Sequence, residues 1–378
     1  MSYVFRKKRY LALASMLDGV GERLFKSPPT QPPKAPKKIL VVRLDHLGDV
    51  LQATGIPQVL KEHFPSAEVL FLTSEAGAAL LANNPYVDET LVFNAPWFNR
   101  PISPRVSSSF RKLAGDLKRR GIDVGLSLRG DVRENFLLRL AGVGFTAGYG
   151  ITGGGFLLNR QLSYRPEEHE SRHSLDVLRS LGIHRDFLLP ALFFSQEEEA
   201  VIDRLRTEAG QRLVVGVQLD AGSKAKCWPE ANRGAFLDEA LETFPAARFV
   251  FFGTDPGIRD WLNKRLKNAD GEQAVNLMGK TSVRELALRL KSCRLFIGPD
   301  SGPTHLAAAL GIPTLFLYSG TNEFEKWRSV AENADFLRNP VSCSPCHLTE
   351  CPVEGHPCLS GISAKSVLLW LKERVHVS

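Results

Sequence analysis

The chain has 378 residues, 43% of them hydrophobic and 24% charged, with a formal net charge of +7. This is the composition of a globular protein long enough for about two domains, and no run of about 18 apolar residues marks a spanning helix. The charge is confined: residues 1–38 hold nine Lys/Arg against Asp18 and Glu22, whereas the other 340 residues balance 39 basic with 39 acidic groups. A nucleic-acid partner, which would need a basic folded face, is not expected.

The leader, 1–37, carries an apolar stripe. Tyr10, Leu13, Leu17, Val20 and Leu24 recur at spacings of 3 and 4, with Phe25 beside the last and Arg6–Arg9 ahead of them. That pattern resembles an interfacial amphipathic helix, and each basic group near an anionic leaflet is worth about 1 kcal/mol. The alternative is a helix docked on the protein's own body. A secretory signal is disfavoured, because the apolar core Leu11–Leu17 is short and no small-residue cleavage site precedes Asp18–Glu22. Residues 28–36, rich in proline, read as an extended tether.

The first domain is expected over 38–192. Lys38–Arg43 reads as a buried parallel strand, Leu44–Asp49 as a loop and Val50–His63 as a helix. Strands at Val69–Thr73, Glu89–Phe93 and Val124–Leu128 follow, with helices at Gly77–Ala82 and Phe110–Arg119 between them. A second series starts at Leu213–Val217 and continues through Phe249–Phe252 and Leu295–Ile297, giving a second domain over 193–378. The join falls near Phe187–Glu199. Alternating strands and helices imply two doubly wound α/β sheets with a cleft between them, and ligand loops at the strands' carboxyl ends.

The most informative stretch is 298–310, Gly-Pro-Asp-Ser-Gly-Pro-Thr-His-Leu-Ala-Ala-Ala-Leu. A buried strand feeds a Gly/Pro/Ser loop and then a helix, with another strand at Pro313–Tyr318. Such a junction gathers backbone N–H groups and a positive dipole end at one spot, which suits a phosphate. His305 lies in the first helical turn, as an anion donor or an interior hydrogen-bonded residue. Asp300 would repel phosphate and more plausibly addresses hydroxyls or N–H groups.

Other residues carry possible chemistry. Asp49 ends the first strand's loop, as a general base or as a helix N-cap. Lys226, in Ser223–Pro229, is a phosphate partner as a point charge; Lys224 competes, and a solvated surface lysine is the plain alternative. Trp228-Pro229 reads as a structural helix start with Pro at N1. Arg129, Asp131 and Arg133 follow a strand and either meet an acidic acceptor or form a solvated loop. His169 and His173 have i,i+4 spacing without a metalloprotease Glu between them, and are taken as cleft-lining or structural. Cys343, Cys346, Cys351 and Cys358, with His347 and His356 among them, offer a small structural metal site, a loop of reduced thiols or disulfides. A reducing compartment disfavours the last. Cys227 and Cys293 read as isolated core residues.

Together these motifs resemble glycosyltransferase family 9, the lipopolysaccharide heptosyltransferases. The match is carried by Arg43-Leu-Asp-His-Leu-Gly-Asp-Val50, Lys226-x-Trp-Pro229, Asp300-Ser-Gly-Pro-Thr-His-Leu-Ala-Ala-Ala309 and Thr321-Asn322 with Trp327. It spans roughly 38–375. The resemblance implies a GT-B fold, two Rossmann-like domains facing an interdomain cleft, with the acceptor-side domain first and the donor-binding domain second. It implies inverting transfer of heptose or a related sugar from an ADP-activated donor to a lipopolysaccharide core or lipid A-linked acceptor. Asp49 matches the proposed base, Lys226 a donor-phosphate ligand, and Asp300, Ser301, Gly302 and His305 the donor loop. Asp255 matches an acid holding the ribose, and Thr281 a position beside adenine. No Asp-x-Asp motif appears, so catalysis is expected to need no metal. The enzyme is expected in the cytoplasm, peripheral on the inner face of the cytoplasmic membrane. A nucleotide-sugar epimerase and a non-catalytic carbohydrate-binding scaffold are the alternatives.

Overall fold

The computed structural model describes residues 8–28, 30–95, 104–268 and 270–375. Contacts divide the chain into two units, Met1–Phe193 and Phe194–Ser378. Unit 1 contains β1 (Lys38–Arg43), β2 (Glu68–Thr73), β3 (Glu89–Val92), β4 (Val124–Ser127), β5 (Phe145–Gly148) and β6 (Arg160–Gln161). These form one sheet in the order β3-β2-β1-β4-β5-β6, with every pair parallel. Its helices are α1 (Lys8–Phe25), α2 (Leu47–Ala53), α3 (Ile56–His63), α4 (Glu75–Leu81), α5 (Pro104–Arg120), α6 (Val132–Leu140) and α7 (Glu170–Arg179).

Unit 2 repeats the plan with β7 (Val214–Gln218), β8 (Arg248–Phe252), β9 (Ala274–Asn276), β10 (Leu295–Pro299), β11 (Thr314–Tyr318) and β12 (Ala334–Arg338). The order is β12-β11-β10-β7-β8-β9, again all parallel. Its helices are α8 (Gln196–Ala209), α9 (Glu230–Thr243), α10 (Pro256–Arg265), α11 (Val283–Lys291), α12 (Gly302–Ala309), α13 (Phe324–Trp327), α14 (Pro357–Ser360) and α15 (Ala364–Val375). Counted from its own first strand, each sheet runs 3-2-1-4-5-6. The strand order therefore reverses between β1 and β4, and between β7 and β10. Those reversals are where doubly wound sheets leave a crevice for ligands.

The central strands explain the layering. Ile39, Val41, Val69, Phe71, Val124 and Leu126 point to one face of the first sheet, while Leu40, Val42, Leu70 and Leu72 pack on the other with Leu117, Leu137 and Leu138. Both faces are apolar, so the strands read as continuous hydrophobic runs. In unit 2, Val215, Val217, Phe249, Phe251, Leu295 and Ile297 share a core with Phe236 of α9 and with Val367, Leu368 and Leu371 of α15.

Two of the structure's departures from the expected elements involve prolines at helix starts. The helix expected over Val50–His63 is broken into α2 and α3 at Thr54–Gly55. A Cβ on Gly55 would lie 2.2 Å from the Leu189 carbonyl oxygen, so the returning chain passes against a bare backbone there, and Pro57 opens the new helix. Pro229 sits at the N-cap of α9 rather than at N1. Trp228 is structural as expected, its indole N–H donating to the Ile362 carbonyl at 2.9 Å.

The leader forms α1, which packs on the 3-10 turn Gly155–Leu157 of unit 1. Arg6 and Lys7, and the side chains of Lys8, Arg9, Tyr10, Leu13 and Leu17, lie outside the described residues. No helix among the described residues is long and apolar enough to cross a membrane.

Candidate active site

In unit 1 the reversal between β1 and β4 is crowded with charge. Arg43 closes β1 with its guanidinium buried, and its Nη2 lies 3.3 Å from Asp49 Oδ1, 3.5 Å from Asp45 Oδ2 and 3.6 Å from Glu170 Oε1. Arg129, beyond β4, donates to Asp45 Oδ1 at 2.7 Å. Beneath them Glu134 is almost wholly buried, accepting from the Leu44 N–H and the Ser127 hydroxyl, both at 3.3 Å. Three carboxylates thus share one buried guanidinium. Burial first, and then the Asp45 charge, push Asp49 up to about 8 against the pull of Arg43. Burial and the neighbouring Asp131 raise Glu134 to about 8 as well. Arg43 itself is held charged, because the surrounding carboxylates outweigh its desolvation.

Asp49 is not the cap of α2. That position belongs to His46, which makes no side-chain cap bond, and Asp49 falls in the first helical turn. Its carboxylate is therefore left to Arg43. A first-turn carboxylate is also favoured by the helix dipole, by about 0.3–1 kcal/mol when exposed.

Glu170 went unnoticed in the sequence. It opens α7 and bridges Arg43 to His173, whose Nδ1 lies 3.2 Å from Glu170 Oε2. His173 is buried, its Nε2 3.1 Å from the Arg165 carbonyl and its ring stacked on Tyr164 at 4.2 Å. His169 accepts from the Ser171 N–H as the cap of α7. Of the two roles considered, cleft-lining or structural, these contacts are structural ones. Arg133 binds Asp131, with Nε 2.7 Å from Oδ1, so both candidate acceptor arginines already hold a carboxylate of unit 1.

In unit 2 the reversal between β7 and β10 gathers Lys226, Asp300, Ser301, Gly302 and His305 of the expected donor residues. Asp300 is the hub. Lys226 Nζ donates to its Oδ2 at 2.7 Å and its carbonyl at 3.1 Å, Asn322 Nδ2 donates to Oδ2 at 3.0 Å, and His305 Nε2 lies 3.1 Å from Oδ1. Burial works against this carboxylate's charge, but His305 and Lys226 overcome it and hold Asp300 at about 2. Ser301 is the N-cap of α12 but makes no side-chain cap bond; its hydroxyl donates to Gln218 Oε1 at 2.8 Å instead. The helix start at Ser301–Gly302 is left as backbone N–H groups, the feature that suits an anion. Lys224, the competitor, is at the surface opposite Glu350.

Asp255 and Thr281 stand apart from this cluster. Asp255 Oδ1 accepts from the Ile258 N–H at 2.8 Å as the cap of α10. Thr281 immediately precedes Ser282, the cap of α11. Asp220, which the sequence did not flag, ties the first of these to the cluster. It accepts from the backbone N–H groups of Thr254 and Asp255 and from Gln218 Nε2. Gly253 allows this: at φ +144°, a Cβ there would lie 2.4 Å from Asp220 Oδ1. Tyr318, closing β11, is buried with a hydroxyl that has no hydrogen-bond partner among the described residues.

The cysteine loop, considered in the sequence for a structural metal, for reduced thiols or for disulfides, lies beside the Lys226–Asp300 cluster. Among the described residues no group of three or more His, Cys, Asp or Glu side chains is placed to hold an ion. Cys343, Cys346, Cys351 and Cys358 are free thiols, with Cys343 exposed and Cys358 buried. It braces the loops around Ala225 and Gly320–Thr321 by main chain: Cys346 N–H donates to Gly320 O at 3.0 Å, His347 N–H to Thr321 O at 2.9 Å, and Ala225 N–H to Thr349 O at 3.0 Å. Cys227 is half-buried and Cys293 buried, the latter's thiol pushed up to about 12 by burial.

Comparison with known proteins places the family and the fold. The family model for glycosyltransferase family 9 (heptosyltransferase) matches residues 110–356. Lipooligosaccharide heptosyltransferase 2 of Campylobacter jejuni is 23% identical over 336 residues, covering 88% of this chain and 96% of that protein. Lipopolysaccharide heptosyltransferase 3 of Escherichia coli is 26% identical, covering 76% and 84%. Among solved structures, a family 9 glycosyltransferase from Veillonella parvula superposes with TM-score 0.75 at 21% identity over 91% of this chain and 99% of its own. The E. coli heptosyltransferase WaaC with ADP gives 0.66 at 18%, over 89% and 99%. Those likenesses give the GT-B fold, and the family match gives the rest: this chain belongs to glycosyltransferase family 9, the heptosyltransferases.

Proposed function

We propose that this chain is an inverting heptosyltransferase of lipopolysaccharide core assembly. It moves heptose or a related sugar from an ADP-activated donor to a core or lipid A-linked acceptor at the cytoplasmic membrane face. The observation that carries the proposal is the Asp300 hub, with Lys226, His305 and Asn322 converging beside the start of α12.

In this proposal unit 2 holds the donor. An ammonium has three N–H donors. Two of those on Lys226 are spent on Asp300, which aims the third at the donor's diphosphate. As the anomeric C–O bond breaks, the charge left on ADP is met by Lys226 and by the N–H groups at Ser301 and Gly302. Removing one such pre-aimed donor typically costs about 10²–10³-fold in rate. Asp255 and Thr281 address the adenosine end. Tyr318 offers its unpartnered hydroxyl to the same ligand.

Unit 1 supplies Asp49 as base. It takes the acceptor hydroxyl's proton as that oxygen attacks the anomeric carbon, and attack opposite the leaving ADP inverts the centre. A carboxylate raised toward the working pH is suited to that step. Arg129 and Arg133 carry the acceptor's acidic groups. No metal is assigned a role, because the lysine and helix start answer the leaving group's charge.

The test is incubation of the purified chain with ADP-heptose and core acceptor. Released ADP and an acceptor heavier by one heptose, with turnover surviving a chelator, are expected. Isomerised donor without acceptor would mark an epimerase. Mass spectrometry of the core from a deletion strain identifies the sugar and its position.

A further inference from the structure

We propose that α1 is an in-plane membrane anchor, locked to unit 1 by one edge and presenting Val20, Leu24 and Phe25 to an anionic lipid surface. The lock is specific. Asp18, 5% exposed, accepts the Gly154 N–H at 2.8 Å. Gly153, at φ +97°, lies under the same carboxylate. One turn on, Gly21 sits so close to the Phe156 ring that a Cβ would come within 2.2 Å of it. Ser27 then pins the exit: its hydroxyl donates to Leu157 O at 2.7 Å and its N–H to Phe156 O at 2.9 Å. The tether continues on the body, with Asn159 Nδ2 donating to Pro28 O at 2.9 Å.

This docking uses Asp18, Gly21 and Ser27 and leaves Val20, Leu24 and Phe25 out. Val20, Leu24 and Phe25 are 49%, 67% and 63% exposed. Val20 and Leu24 are four apart and lie together on a helix side well away from Asp18. A helix that docks only to bury itself would turn that side inward. The two alternatives posed by the sequence, body-docked and membrane-facing, are therefore compatible.

Charge selects the occupant. The excess of +7 lies wholly within residues 1–38, and Arg23 and Lys26 flank the exposed Leu24 and Phe25 on the described helix and its exit. A second copy would bring the same cationic face against itself. An anionic bilayer complements it, taking the apolar side into the acyl boundary and the basic groups among headgroups. The lipid-linked acceptor proposed above gives this anchor its purpose, but the test of the anchor does not depend on it.

The experiment floats the full chain with phosphatidylcholine vesicles, with and without phosphatidylglycerol. Recovery with the phosphatidylglycerol vesicles that falls as salt rises is expected. The double variant L24D/F25D, altered only at exposed positions, should bind at least about tenfold more weakly. It should keep its circular dichroism and its turnover on delipidated core acceptor. Equal recovery of wild type and variant, or no preference for the anionic vesicles, overturns the proposal. So does a wild-type dimer that the variant converts to monomer, which would make this face a contact between copies. Failure of transfer to delipidated acceptor by the wild type would instead strike the transferase proposal, and flotation would still decide the anchor.

Discussion

Lys226 and Asp300, 74 residues apart in sequence, meet through two hydrogen bonds from one ammonium, to the carboxylate at 2.7 Å and to the carbonyl of the same residue at 3.1 Å. The pair fixes the lysine rather than leaving a mobile surface charge. Lys226→Ala should lower kcat/KM by about 10²–10³-fold and weaken ADP binding measured by calorimetry. It also leaves Asp300 buried with fewer donors, and breaking such a pair costs up to about 3–5 kcal/mol. Asp300→Asn is the complementary variant: Lys226 keeps the backbone carbonyl but loses its anionic partner, so KM for donor should rise. Equal turnover in both variants would remove this pair from the donor site.

The pH dependence of turnover and of stability should oppose each other in unit 1. The base role proposed for Asp49 requires its deprotonated form, and it is raised to about 8. Turnover should therefore climb with pH through that value. Folding goes the other way. Asp49 and Glu134 bind protons more tightly folded than unfolded, so between about 4 and 8 the native state holds more protons and stability falls as pH rises. Asp300 has the opposite sign: held at about 2, it contributes stability above about 4 that is lost as pH falls toward 2. Urea melts across pH 2–9, with Asp49→Asn as control, separate these contributions. That variant should lose turnover while becoming more stable at pH 8.

Glu170 is a positioning residue for the Arg43–Asp49 pair. Its charge raises Asp49, and it lies 3.6 Å from the guanidinium that Asp49 also contacts. Glu170→Gln should shift the rising limb of the pH–rate profile to lower pH and leave the high-pH plateau of kcat within about threefold. A variant that merely loosened α7 would lower the plateau without moving the limb.

Much of the fold was legible because its strands are buried on both faces. Lys38–Arg43, Val69–Thr73 and Phe249–Phe252 read as apolar runs, and each is a central or near-central strand. What escaped was set by contacts distant in sequence. Short edge strands such as Arg160–Gln161 have no pattern of their own. The break at Gly55 depends on Leu189, 134 positions later. The donor loop was visible because Gly, Pro, Ser and His crowd one junction. Its meeting with Lys226 was anticipated, but Gln218 and Asp220, the residues that tie Ser301 to the Asp255 loop, look like an ordinary strand end. Glu170 gave no signal, since a Glu at the start of an amphipathic helix is what dipole and solvation alone would select.

Gly253 offers a structural test of that tie. Its φ of +144° is one that side chains rarely adopt, and a Cβ would intrude on Asp220, which holds the Thr254 and Asp255 N–H groups. Gly253→Ala should cost about 1–3 kcal/mol of stability and raise KM for the ADP-sugar.

Tyr318 tests the nucleotide end from the other side. A buried hydroxyl without a partner costs about 1–3 kcal/mol, so Tyr318→Phe should leave the melting temperature unchanged or raise it. If the hydroxyl serves the donor, the same variant should bind ADP or ADP-heptose more weakly by about 5–10-fold, the value of one neutral hydrogen bond. Higher stability with weaker binding marks a group kept for the ligand. Higher stability with unchanged binding assigns Tyr318 to packing alone, with its ring against Phe324 at 5.0 Å.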